Sequence, residues 1–198
     1  MSYEDKILDF LAKSENLPIA FQIAEYVQKL KETTHQRFWP MFSEFMSERL
    51  GASTYGEDWS FVPPPPERWE KSYENCYLRP TQSQYPNQPV LNVAIQQGSP
   101  NNNFRLLMGV IWTPEPPKES VSKSFEVLVE RLIEMNRTHS SDKWPGWNWL
   151  HHRARGEQFV MKMHNEPEGL MDELSEMYWD FFLAIHPFIN DVMQKSVE

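Results

Sequence analysis

Apolar and polar positions alternate most clearly between Pro89 and Trp112. Leu91, Val93 and Ile95 alternate with Asn92 and Gln96, which predicts a strand with one apolar face. A Gly/Ser/Pro/Asn loop follows. Beyond it Phe104, Leu106, Met108, Val110 and Trp112 point one way, while Leu107 and Ile111 point the other. A strand apolar on both sides belongs inside a sheet with cover above and below. Trp59 to Phe61 and Tyr73 to Arg79 read as two further strands, and Phe159 to His164 alternates in the same fashion, with Phe159, Met161 and Met163 facing together.

Elsewhere the period is helical. Tyr3 to Lys13 predicts a short amphipathic helix, broken at Asn16-Leu17-Pro18. Ile19 to Leu50 carries Ile23, Val27, Leu30, Thr34, Phe38, Met41 and Phe45 at three- and four-residue steps and reads as a packing helix, stopped by Gly51. Pro40 removes an amide donor and predicts a kink or restart. Val121, Phe125, Leu128, Leu132 and Met135 form one stripe over about residues 120–136, placed to cover a sheet face. Asn165-Glu166-Pro167-Glu168 reads as the capped start of a last helix, which Pro187 bends or ends. Pro63 to Pro66 is a stiff connector, residues 80–88 form a loop, and Pro114, Pro116 and Pro117 end the sheet. The order predicts an α+β fold: a single domain over residues 17–198, mainly antiparallel sheet covered by amphipathic helices, with an N-terminal helical extension over residues 1–16.

Composition narrows the function classes. A chain of 198 residues can bury a sizeable core, and eight Trp with twelve Phe supply a dense one. The net charge of −9 argues against a general nucleic-acid coat. A single cysteine, Cys76, excludes an internal disulfide and a multi-cysteine zinc site. The opening residues lack the pattern of a secretion signal and no apolar run is long enough for a membrane span, so a cytoplasmic location away from membranes is expected.

Catalytic patterns are missing. The seven glycines form neither a Walker loop nor GxGxxG, and no GxSxG elbow, HExxH or CxxC occurs. His151 and His152, adjacent on a strand, would point apart, so no metal site and no cofactor are expected. Glu166, Glu168, Asp172, Glu173 and Glu176 fit a solvated helix face. The one local departure is Trp144 to Arg155: three tryptophans, Trp144, Trp147 and Trp149, precede His152, Arg153 and Arg155 in an otherwise acidic chain. Aromatic planes beside guanidinium groups can stack on bases and pair with phosphate, while the alternative is that the tryptophans plug the sheet.

Trp59-Ser60-Phe61, the central hairpin, WPGWNW at Trp144 to Trp149 and the final aromatic helix with HPFIN together resemble an accessory domain found at the C-terminal side of some bacterial PD-(D/E)XK superfamily proteins. The resemblance runs from about Ile19 onward and implies a cytoplasmic bacterial or phage module associated with DNA-processing or defence proteins. It carries no catalytic residues across. That chemistry needs an acid two residues before a Lys, whereas Gln96 and Gln97 precede Gly98, and Lys162 is preceded at that spacing by Val160. The expected role is a non-enzymatic interaction module that binds protein and can form a homo-oligomer. The alternative is nucleic-acid binding or DNA processing through Trp144, Trp147, Trp149, His152, Arg153 and Arg155.

Overall fold

The computed structural model describes residues 2–81, 89–114 and 123–195. Five strands form one antiparallel sheet in sequential order: β1 (Trp59–Val62), β2 (Asn75–Pro80), β3 (Val90–Gln97), β4 (Arg105–Thr113) and β5 (Gly146–Arg153). The helices are α1 (Tyr3–Leu11), α2 (Leu17–Gly51), α3 (Lys123–Glu134), α4 (Glu157–Asn165) and α5 (Pro167–Lys195). This is the expected α+β architecture. The expected loop over 82–88, Pro116, Pro117 and the start of the third helix near Val121 lie outside the described residues.

The two-sided pattern of β4 holds. Leu106, Met108 and Val110 join the main core with Leu91, Val93 and Ile95 of β3, against Phe38 and Phe42 of α2, Leu128 and Leu132 of α3, Phe159 of α4, and Leu174 and Phe182 of α5. Leu107 and Ile111 are buried too, at 5% and 1% exposure. Among the described residues, their side of the sheet carries no helix residue in its core. Ala94, Leu107, Ile111 and Trp144 cluster there with Tyr77, Trp147 and Trp149 packed against them. Helices thus cover one face, and the sheet's own aromatics cover the middle of the other.

Two contacts set the sheet's geometry. Gly109 opposes Trp147 where β4 and β5 meet, and a Cβ there would lie 2.3 Å from the Gly146 carbonyl and 2.6 Å from the Trp147 Cβ. The pairing of β2 with β3 ends at Leu78 and Val93. At that point Tyr178 of α5 donates its hydroxyl to the Val93 carbonyl at 2.6 Å and accepts the Leu78 amide at 3.0 Å. A side-chain oxygen therefore fills the gap between two facing backbone groups.

Several elements depart from the expected pattern. Phe159 to His164 is helical, because Phe159, Val160 and Met163 also fit one helix face, and these are the residues α4 buries. Tyr73 lies before β2 with φ of 63°, and Asn165 ends α4 while α5 begins at Pro167. Pro40 and Pro187 both sit inside unbroken helices, on exposed positions. Pro187 leaves the Leu183 carbonyl without its helical donor, and His186 Nδ1 lies 3.1 Å from that oxygen.

Candidate functional site

The register of β5 against β4 breaks near its end. Arg105 opposes Arg153 and Leu107 opposes Trp149, so two steps along β4 span four along β5. Two extra residues are accommodated between Trp149 and Arg153, and a bulge of this kind re-aims side chains. Arg105 fixes it by donating its Nε–H to the Leu150 carbonyl at 2.7 Å, with its guanidinium 5.6 Å from the Trp149 ring centre. The bulge overturns the expectation that His151 and His152 point apart: their ring centres are 3.8 Å apart.

His152 is buried against Phe159, while His151 stays largely exposed. Nε2 of His152 lies 3.2 Å from Oε1 of Glu173 on α5, and Nε2 of His151 lies 3.9 Å from the same oxygen. Lys162 of α4, now a helical residue, donates to the other carboxylate oxygen, Oε2, at 2.7 Å. That bond chiefly holds the Glu173 carboxyl below its usual range, and Glu173 in turn lifts the Lys162 amine. Burial, then the neighbouring His151, pulls His152 below the ordinary histidine value. With Nε2–H donating to the carboxylate, Nδ1 of His152 keeps a lone pair that no group in the described chain engages. A cavity of about 330 Å³ adjoins the cluster, lined also by Asn103, Arg153, Gln158 and Leu170.

Arg155 serves a different purpose. Its Nε–H donates to Nδ1 of His35 at 3.1 Å, its guanidinium lies 4.6 Å from the Phe104 ring centre, and its terminal nitrogens lie 3.3 Å from Glu70 and 3.7 Å from Glu32. His35 is fully buried. Its other nitrogen meets Oε1 of Gln97 at 2.7 Å, an oxygen that also accepts from Trp39 Nε1 at 2.9 Å. Gln97 uses its Nε2 on the Trp69 and Lys71 carbonyls, so its oxygen must face the imidazole and His35 carries its proton on Nε2. Burial brings its pKa down to about 4.

The six residues singled out in the Trp/Arg stretch are thus divided. Trp144 is buried, and Trp147 and Trp149 meet edge-on at 5.4 Å on the helix-free face, where His139 stacks on Trp147 at 4.6 Å. His152 and Arg153 line the cavity, and Arg155 is held in an internal network. His151, Lys162 and Glu173 were not singled out from the sequence as site residues, since their meeting depends on the bulge.

A second candidate surface lies at the other end. Of sixteen exposed large apolar side chains among the described residues, eleven fall between Tyr3 and Leu30. α1 buries none of its residues, and α2 buries none before Thr34. Ile23, Val27 and Leu30, expected to pack inside the domain, are exposed. α1 starts in a capping box of Ser2 and Asp5, and Asn16 donates to the Phe10 carbonyl at 2.8 Å before Pro18 opens α2. The two form a projecting helical arm.

Comparison with protein-family models, curated proteins and solved structures finds no match to this chain. No helix among the described residues is long and apolar enough to cross a membrane.

Proposed function

We propose that the chain is a protein-interaction module whose helical arm docks on the same arm of a second copy. The observation that carries this is the concentration of exposed apolar side chains between Tyr3 and Leu30, ahead of the first buried residue of α2. At their fractional exposures they present on the order of 1,000 Å², against roughly 800 Å² per partner in a standard interface. Isolated exposed apolar residues are ordinary; Ile19, Ile23, Tyr26, Val27 and Leu30 recur at helical steps on one side of α2, a concentration that marks an interaction surface.

The spacing names the occupant's shape. The exposed Ile23, Val27 and Leu30 follow four- and three-residue steps, which is the seam of a helix packed along another helix. A second copy suits it by charge. The chain as a whole is strongly acidic, but Glu25, Lys29, Lys31 and Glu32 give this part of the arm both signs, so like can pair with like. Two-fold pairing of identical patches is the commonest form of self-assembly.

Analytical ultracentrifugation of the full chain tests the reading. A dimer that dissociates on dilution is expected, and the double substitution Ile23→Glu, Val27→Glu should yield a monomer with the parent's thermal unfolding. A parent that stays monomeric at the highest soluble concentration, or a double variant that still dimerises, overturns it.

A further inference from the structure

We propose that His151, His152 and Glu173 bind a divalent transition-metal ion of the zinc, cobalt or nickel type. One ligand atom from each lies within 4.8 Å of the other two. The separations to Glu173 Oε1 are 3.2 Å from His152 Nε2 and 3.9 Å from His151 Nε2. Tetrahedral zinc with bonds of about 2.0–2.1 Å requires ligand atoms roughly 3.4 Å apart, so small side-chain movements complete the set. Two imidazoles and one carboxylate suit these metals better than magnesium or calcium, which prefer oxygen alone.

Three features distinguish the cluster from a surface ion pair. Lys162 occupies Oε2 of Glu173 and leaves Oε1 directed at both imidazoles, the orienting role that outer groups play around metal ligands. His152 is 6% exposed and packs against Phe159, so its imidazole is held in place beside Oε1 rather than free at the surface. The rings are adjacent only because two extra residues are built into β5 and pinned by Arg105. Binding moves the His152 proton from Nε2 to Nδ1, freeing the Nε2 lone pair for the ion without changing the charge of the ring. The exposure of His151 leaves a further coordination position to water or to a small anion in the adjoining cavity.

The site involves none of the arm's residues, so its failure leaves the dimer reading untouched. The test is titration of the full, tag-free chain with Co²⁺, followed by visible absorption, and with Zn²⁺ by calorimetry. One ion per chain and the intense bands of four- or five-coordinate cobalt are expected. His151→Ala, His152→Ala and Glu173→Gln should each weaken binding at least tenfold, and Lys162→Met about tenfold. The exposed His164→Ala should have no effect. Because His151 is at the surface, its variant reports on binding even if His152→Ala unfolds. No saturable binding, a spectrum matching hydrated cobalt, or His151→Ala and Glu173→Gln variants that bind like the parent would overturn the proposal.

Discussion

Arg155 donates its Nε–H to Nδ1 of His35 across 3.1 Å, joining the β5–α4 turn to the middle of α2. The bond works only while His35 is neutral, because a proton on Nδ1 would face a guanidinium. In the folded chain this histidine takes up its second proton near pH 4, and in the unfolded chain near 6.5. Between those values the unfolded chain binds more protons, so stability rises with pH. Above about 6.5 the contribution is level. Acidifying to pH 4 should cost on the order of 3 kcal/mol relative to His35→Gln, whose side chain does not titrate. Urea unfolding of both proteins from pH 7 to 4 measures the difference, and parallel curves would refute it.

Tyr178→Phe should be more damaging than the loss of one oxygen suggests. The Leu78 amide and the Val93 carbonyl both lose their partner in a buried part of the sheet. At about 1–3 kcal/mol for each unsatisfied group, a loss of about 2–4 kcal/mol is expected. A denaturation midpoint within experimental scatter of the parent would mean that β2 and β3 close the gap on their own.

Two glycines should respond in opposite directions. Gly109→Ala places a methyl group against the Gly146 carbonyl and Trp147, backbone that cannot swing aside, and should cost about 3 kcal/mol or prevent folding. Gly51, the last residue of α2, has nothing within 4 Å of the same methyl. Gly51→Ala should stabilise by about 0.5–1 kcal/mol through helix propensity alone. Thermal unfolding of the pair decides, and equal effects would contradict the packing described.

Hydrogen exchange should divide α2 within one continuous helix. From Thr34 onward its side chains enter the core, so those amides should open only with global unfolding. Residues 17–33 should exchange orders of magnitude faster in dilute, monomeric protein and become protected as concentration rises. Uniform protection along the helix at all concentrations would count against both the free arm and its pairing.

Much of the fold is legible because its signals are local. The alternation in β3 marks a strand with one apolar face, the pattern of β4 marks a strand buried on both sides, and the α3 stripe marks a helix lying on a sheet. Phe159 to His164 misleads because six residues can satisfy either period. Pro40 and Pro187 read as breaks, yet an exposed proline lets the freed carbonyl find water or, as at Leu183, a neighbouring imidazole. The candidate site was hidden for a stronger reason. Alternation places His151 and His152 on opposite faces, and only the register against Arg105 and Leu107 brings them together. Nor can periodicity tell a covered stripe from a bare one, so Ile23, Val27 and Leu30 read like Phe38, Met41 and Phe45 although only the latter three meet the core.

The unbroken course of α2 through Pro40 has a mechanical consequence. Seventeen residues of helix before Thr34, at 1.5 Å per residue, make a rod about 25 Å long, rooted in the core by Phe38, Trp39 and Phe42. Two chains gripping each other by such rods would hold their sheets at a set spacing, as a strut fixes the distance between two plates.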